Sequence, residues 1–380
     1  MKITRLETLF VKPRWVFLKV HTDAGIVGLG EPIVEGQSKA TAAAVHDMGR
    51  YLIGQDPFRI EHHWQAIYRG AFYRGGPVLT SALSGIEQAL WDIKGKALGV
   101  PAYELLGGAV RDRIRLYRGV NRVRMYAGGD EDIPAEYAEG ARALVAEGFT
   151  ALKTSIPKAV QIVDKPSRID EFVAPFAAMR EAIGNDVDMA IDFHGRVSPA
   201  MAVRLCQALE PYRPMFVEEP CLPENVDTMV TIARGTTIPI ATGERLFTKW
   251  GFREVLEKQA ACIVQPDLSH AGGLLECIKI AAMAEVYYAA VAPHCPLGPI
   301  ALAACLQLDA CTPNFLIQEH TTLGEGYLRE PFVLDQGYVA LPAKPGLGIE
   351  LDEEAVAAKL YEGDWDTPRL WHEDGAVADW

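Results

Sequence analysis

No apolar run in this chain is long enough to cross a membrane. The longest, around Ile278 to Ala292, is broken by Lys279, Glu285 and two tyrosines, whereas a spanning helix needs about 20 apolar residues. Nothing after Met1-Lys2-Ile3-Thr4 reads as the apolar core of a signal peptide, so a cytoplasmic protein is expected. Basic charge is in deficit: Lys and Arg number 37 against 50 Asp and Glu, a net charge of −13. That surplus of negative charge argues against nucleic acid and anionic membranes as partners. Any anionic small molecule then needs a local positive centre, a metal or an Arg. No two of the seven cysteines are spaced as Cys-x-x-Cys, and the number is odd. Reduced, mostly buried thiols are expected, not a disulfide framework or a zinc cluster. Low-complexity segments are absent as well.

What is present is a globular composition, 49% hydrophobic and 23% charged, over 380 residues. A β/α barrel takes roughly 250 residues, which leaves about 130 for something else. The first part reads as α+β. Ile3 to Phe10, Trp15 to Thr22 and Gly25 to Glu31 have strand character, and Asp23-Ala24-Gly25 suits a hairpin turn between the last two. Helical patterns follow over Ser38 to Leu52, Phe58 to Tyr68 and Leu79 to Leu98. The last of these carries a stripe of Ile86, Leu90, Ile93 and Ala97, and Gly99-Val100-Pro101 stops it.

From about Arg113 short apolar runs alternate with helical patterns. The runs are Ile114 to Tyr117, Ala151 to Lys153, Met189 to Ile191, Met215 to Val217, Ile238 to Ala241, Cys262 to Val264, Ala289 to Ala292 and Asn314 to Ile317. Segments such as Ala135 to Glu147 and Glu171 to Ile183 have helical periodicity between them. Strands alternating with helices imply a parallel sheet, and eight of them imply that it closes. Pro345-Gly346 marks a turn. Leu351 to Leu360 reads as a last helix, followed by a polar tail bearing tryptophan. The expected fold class is α/β: a modified, TIM-like (β/α)-barrel with an N-terminal α+β capping domain that the C-terminal segment completes. The expected division is residues 1–112 for the cap, 113–345 for the barrel and 346–380 for the segment packing back on the cap.

Six polar residues end successive apolar runs: Asp192, Glu218, Glu244, Asp267, His294 and Glu319, at intervals of 23 to 27 residues. Strand ends at one mouth of a parallel barrel are where catalytic side chains gather. Asp192, Glu218 and Glu244 stand on adjacent strands, and three converging carboxylates escape their repulsion through raised pKa values or a metal. Any one could be a salt-bridged loop residue, but three in register point to a cation. Oxygen-only ligation points to Mg²⁺, with Mn²⁺ also suitable. His194 follows Asp192 by two, and strand alternation points both to one side. Asp267 beside His294 is placed to hold one imidazole nitrogen and raise the basicity of the other. Glu319 could donate a hydrogen bond if protonated, orient His294, or be only a salt bridge or loop cap. A cation flanked by two imidazoles suits removal of a proton next to a carboxylate, followed by expulsion of a hydroxyl.

These residues resemble the enolase superfamily, mandelate racemase subgroup, over nearly the whole chain. The resemblance rests on Ala89-Leu90-Trp91-Asp92-Ile93-Lys94-Gly95, the three carboxylates, the Asp267/His294 pair and Pro345-Gly346-Leu347-Gly348-Ile349. Within the subgroup the chain is most similar to the dehydratases of acid sugars that act on D-galactonate. The stretches that carry this are Pro13-Arg14-Trp15, Phe72 to Pro77, Asp192 to Val197, Gln265 to Gly273 and Ala292 to Ile300. The resemblance implies that His294 abstracts the C2 proton, that His194 expels the C3 hydroxyl, and that the product is 2-keto-3-deoxygalactonate. It also implies substrate contacts from Lys153 and, on cap loops, from Arg14, Tyr73 and Arg74. A homo-oligomer is expected on the same ground.

The chain departs from the family in places. Mandelate racemase carries a Lys base on the second strand, where this chain has Ser155. The galactonate dehydratases have an Asn near that position. Asn121 to Pro134, Ser155 to Arg168 and His320 to Glu330 also depart, and they are expected to border the mouth and select the substrate. The rival readings are a dehydratase, epimerase or cycloisomerase acting on another aldonic or aldaric acid, and a catalytically silent barrel that binds a ligand.

Overall fold

The computed structural model describes residues 1–120, 133–156 and 159–380. The chain opens with an antiparallel meander, β1 (Ile3–Val11), β2 (Trp15–Thr22) and β3 (Val27–Gly30). The β2–β3 hairpin turns at Asp23-Ala24-Gly25, where Gly25 takes φ +77 and donates to the Thr22 carbonyl. Helices α1 (Ser38–Leu52), α2 (Ile60–Gly70) and α3 (Pro77–Leu98) follow. Helix α2 starts two residues later than its periodicity predicts. The 22-residue α3 is buried along most of its length and ends on left-handed Gly99, the usual geometry of a glycine stop.

Strand β3 lies almost on the backbone of α3. A Cβ on Gly30 would sit 1.9 Å from the Gly85 carbonyl oxygen, and one on Gly28 would sit 2.1 Å from that of Ala89. Only glycine permits that approach.

Eight parallel strands come next: β4 (Arg113–Gly119), β5 (Ala151–Ser155), β6 (Asp188–Asp192), β7 (Val217–Glu218), β8 (Ile240–Thr242), β9 (Ile263–Val264), β10 (Ala290–Val291) and β11 (Gln318–His320). They pair in sequence order from β4 to β10, and β11 pairs back with β4. A parallel bridge between Val291 and Phe315 closes the ring. The eighth strand therefore begins just after the expected run, whose residues Asn314 and Leu316 hydrogen-bond to Val291 instead. Helices α4 (Pro134–Ala146), α5 (Pro166–Ile183), α6 (Pro199–Leu209), α7 (Val226–Arg234), α8 (Thr248–Glu257), α9 (Leu274–Val286) and α10 (Pro299–Cys311) cover the barrel. Four of them begin on proline, whose fixed φ suits a first helical residue. Strand β12 (Tyr338–Ala340) pairs antiparallel with β4.

Inside the ring Tyr117, Ala151, Ala190, Phe216, Ala241, Ile263, Ala292 and Ile317 form a cluster of their own. Each strand, or the residue flanking it, supplies one. Side chains alternate along a strand, so the next inward positions are two residues further on. Those positions include Lys153, Asp192, Glu218, His294 and Glu319.

The cap is tied to the barrel by buried carboxylates. Glu31, just past β3, accepts the Gly298 and Ala301 amides at the start of α10. Glu87 of α3 accepts the Leu274 and Leu275 amides at the start of α9. Asp92 accepts the amides of Leu29 and Leu347 and pairs with Lys96.

The last part of the chain returns over this assembly. Gly346 exchanges hydrogen bonds with Val100 and Ala102. Leu360 bridges Val11. The last helix, α11 (Glu353–Ala357), is shorter than predicted because the Asp352 side chain caps the Ala355 amide and fixes the start. Beyond it, β13 (Leu370–Trp371) and β14 (Val377–Ala378) form a hairpin. All seven cysteines are unpaired, five of them buried. Among the described residues no helix is long and apolar enough to cross a membrane.

Candidate active site

A cavity of about 520 Å³ opens at the C-terminal ends of the barrel strands. Lys153, Asp192, His194, Glu244, His294 and Glu319 all line it. Glu218 lies beneath, fully buried, and gives both carboxylate oxygens to Lys153 Nζ at 2.7 Å. Lys153 Nζ is also 3.1 Å from Glu319 Oε1 and 3.7 Å from Asp192 Oδ2. Burial works against the Lys153 charge, but Glu218 and Glu319 outweigh it and hold the pKa well above the ordinary value. The carboxylates respond to the same crowding. Burial, then the Asp192 charge, lift Glu218 to about 8. Burial lifts Asp192 to about 6 although Lys153 opposes it.

His294 takes the predicted partner: Nδ1 is 2.9 Å from Asp267 Oδ2. Asp267 is fixed in turn by the Ser269 amide on Oδ1 at 2.7 Å. The other nitrogen, Nε2, is 3.1 Å from Glu244 Oε2 and 3.8 Å from Glu319 Oε2. Desolvation would lower the His294 pKa, but Glu244 and Asp267 raise it well above the ordinary value. Glu319 accepts the Cys295 amide at 3.0 Å, so it braces the loop that carries His294.

His194 reaches the cavity by a route that simple alternation does not describe. Strand β6 stops at Asp192, and His194 sits in the left-handed region at φ +51, an uncommon conformation for a non-glycine residue. Its amide donates to Asp192 Oδ1 at 2.7 Å, and its Nε2 lies 3.0 Å from Asp192 Oδ2. Its Nδ1 is buried without a hydrogen-bond partner among the described residues. Burial, then the Arg196 charge, bring its pKa down to about 3.

Single donor atoms of Glu218, Glu244 and His294 lie within 4.8 Å of one another. That trio overlaps the expected Asp192, Glu218 and Glu244 set in two members. Asp192 stands beside it, paired in register with Glu218 across β6 and β7. Carboxylates crowded enough to acquire raised pKa values suit a cation, and three oxygen donors suit a hard one.

The expected cap contacts are placed differently. Tyr73 is 83% exposed, and Tyr73 and Arg74 line a separate groove on the cap, against α1 and α2, not the cavity. Phe72 and Tyr73 of that loop are exposed, and Pro77, just after it, lines the cavity. Arg14 is buried one layer behind the wall. It pairs with Glu35 at 2.6 Å and donates to the Pro296 carbonyl at 3.4 Å, and both of those partners line the cavity. Of the segments expected to border the mouth, residues 121–132 and 157–158 lie outside the described residues. Ser155 does line the cavity, and no residue of His320 to Glu330 is among its lining.

Four residues at the site escape a reading of strand ends. Glu219, next to Glu218, is buried and lifted to about 8, by burial first. It accepts Thr242 Oγ1 at 2.5 Å and the Gly243 amide at 3.0 Å. The doubled acid at 218–219 was its only signal. His270 lines the cavity with Nδ1 on Ser81 Oγ of α3 at 2.8 Å. Arg245 donates to Glu244 and to the His194 carbonyl. Trp380 lines the cavity from the far end of the sequence.

A parallel barrel under an α+β cap, with carboxylates and imidazoles gathered at its C-terminal mouth, defines an enzyme of the enolase type. Residues 6–107 match the mandelate racemase / muconate lactonizing enzyme N-terminal domain, and residues 136–355 match the enolase C-terminal domain-like family. The chain belongs to the enolase superfamily, in its mandelate racemase subgroup. It is 51% identical to a D-galactonate dehydratase of Ralstonia pickettii and 49% identical to one of Cronobacter sakazakii, each over 100% of both chains. Among solved structures it is similar to a mandelate racemase/muconate lactonizing enzyme from a Sulfitobacter species, with a TM-score of 0.88, 36% identity and 96% of each chain covered. It is equally similar in fold to an enolase superfamily member from Salmonella Typhimurium, with a TM-score of 0.88 at 32% identity, covering 95% of this chain and 98% of that one.

Proposed function

We propose that the protein dehydrates an acid sugar, D-galactonate, to 2-keto-3-deoxygalactonate with Mg²⁺ as cofactor. The observation that carries this reading is the Asp267–His294 pair sharing a carboxylate-lined cavity with His194. The full-length likeness to relatives named D-galactonate dehydratase supports the substrate. Asp192, Glu218 and Glu244 would hold the cation: burial lifts the pKa of the first two, a crowding that a cation would relieve, while His294 outweighs burial and holds Glu244 well below its ordinary value. When bound, it supplies positive charge beside the substrate carboxylate, where negative charge builds as C2 loses its proton.

The chain's own residues do the proton work. Asp267 fixes the Nδ1 side of His294 and leaves Nε2 for the C2 proton. In the resting site Glu244 is the strongest of the charges that keep His294 protonated. Glu244 would be one of the residues holding the cation, and His294 Nε2, on the side away from Asp267, is the nitrogen that acts as the base. The C2–H electron pair forms the C2–C3 double bond as the C3–O bond breaks. The departing oxygen takes a proton from His194 and leaves as water, and the enol then ketonises. Lys153, in the cavity wall, would contact the substrate, and Arg14 would act through Glu35 and Pro296. Tyr73 and Arg74 take no part in this reading. The division into cap 1–112, barrel 113–345 and returning segment 346–380 belongs to the same proposal, as does assembly into a homo-oligomer.

Two imidazoles, His194 and His294, line the same cavity, and that arrangement also favours a second reading. His194 would then serve as a second base, opposite His294, and the reaction would be epimerisation at C2. The test is to incubate the protein with Mg²⁺ in D₂O against aldonic and aldaric acids. Both 2-keto acid formation and C2 deuteration are read. Dehydration of D-galactonate is the expected result. Deuteration with inversion and no loss of hydroxyl would establish the second reading. Turnover of a different acid alone would refute D-galactonate, and absence of both signals with every acid would refute enolate chemistry.

A further inference from the structure

The β13–β14 hairpin does more than cover the cap, because it delivers Trp380 to the barrel mouth. The Trp380 indole lines the cavity and lies nearly parallel to the His194 ring, with 11° between planes and 6.4 Å between centroids. The Arg196 guanidinium carbon is 4.9 Å from the same indole. Arg245 joins the two, donating to the His194 carbonyl and, at 3.4 Å, to the Trp380 backbone oxygen.

His194 needs such support. Its backbone is left-handed, it stands beyond the end of β6, and its Nδ1 has no hydrogen-bond partner among the described residues. Asp192 holds one edge of the ring. The indole face is a second constraint on its tilt.

We propose that Trp380 is a positioning residue: its indole fixes the plane of His194 and closes the water-facing side of the path along which His194 delivers its proton. This rests on the reading of His194 as the acid for the C3 hydroxyl. A flat ring held on one edge keeps a free rotation, and a stacked aromatic removes it without competing for either nitrogen. Misplacing an acid by a fraction of a bond length weakens proton delivery far more than it weakens substrate binding. Abstraction at C2 by His294 does not depend on this contact.

The experiment compares Trp380→Ala and Trp380→Phe with the unaltered protein, all with Mg²⁺. The first readout is the ratio of D-galactonate dehydration to C2 exchange. The second is the rate at which diethyl pyrocarbonate modifies His194, followed by peptide mass spectrometry. Trp380→Ala should lower the ratio by about tenfold or more and expose His194 to faster modification, and Trp380→Phe should restore both. Equal loss of dehydration and exchange, or unchanged His194 reactivity in Trp380→Ala, overturns the proposal. Should Trp380→Ala fold poorly, Trp380→Leu against Trp380→Phe makes the same comparison with an apolar, non-aromatic filler. If the unaltered protein exchanges no acid sugar, the functional reading fails by itself, and the His194 modification rates alone decide whether Trp380 shields the ring.

Discussion

Two imidazoles share one cavity and are held there by different means. His294 is gripped on both nitrogens by carboxylates. His194 leans on Asp192 and an indole. Their substitutions should therefore separate the two half-reactions. His294→Asn should abolish C2 deuteration and cut turnover by about 10²–10⁴-fold; deuteration at the normal rate would dismiss it as the base. His194→Asn should stop loss of the hydroxyl while deuteration continues, and dehydration at full rate would remove it from the acid role. At this scale the sequence was readable where strand alternation governs. Lys153, Asp192, Glu218, His294 and Glu319 all stand two residues beyond the inward cluster of the ring. It was unreadable where the chain had left the strand. Tyr73 and Arg74 belong to a loop whose direction no local periodicity sets, and Trp380 meets Arg245 across 135 positions.

Among the elements, β3 and α3 show how composition becomes contact. A methyl on Gly30 would collide with the Gly85 carbonyl, so Gly30→Ala should cost at least about 2 kcal/mol. A urea midpoint unchanged by the substitution would mean that the strand can slide away from the helix. The short turn after α6 offers a test in acid. Glu210 accepts the Thr237 amide at 2.8 Å, Thr236 Oγ1 at 2.9 Å and Thr237 Oγ1 at 3.1 Å, which hold its carboxyl below the usual range. A folded-state pKa below the unfolded one stabilises above the unfolded value of about 4.3, and that stabilisation is lost as pH falls through the folded value. Glu210→Gln should therefore be less stable than the parent near neutral pH, with the gap closing in acid. A gap that persists to the lowest pH would show that packing, not charge, sets the difference. The bounds of α1 and the stop of α3 at Gly99 were legible, whereas α3 and α5 begin on Pro77 and Pro166, ahead of the helical patterns expected from Leu79 and Glu171. The last helix was overread because an apolar pattern says nothing about where Asp352 caps it or where Leu360 leaves to meet Val11.

In the whole molecule, the even spacing of six side chains was the signature of a closed ring, since each strand-and-helix unit consumes a similar length of chain. What spacing could not carry was the way the two ends of the sequence meet over the mouth, which depends on contacts between residues hundreds of positions apart. If the cluster at the mouth holds a divalent ion, chelation should abolish turnover, and adding Mg²⁺ should restore it. The melting temperature should fall by a few degrees as well, because an ion bound only by the folded chain stabilises it by mass action. A chelated protein that keeps full activity and the same melting temperature would exclude the ion. Glu31 and Glu87 carry the remaining consequence. Each reaches out of the cap to stop the amides of a barrel helix, α10 just after the His294 loop and α9 just after the Asp267 loop. Lifting the cap would strip both helices of their acceptors at once and leave four amides without these partners, with the Trp91 indole still donating to Glu87. The two layers should therefore melt in a single calorimetric transition, and traffic of substrate and product should pass through the loops around the mouth while the cap stays seated.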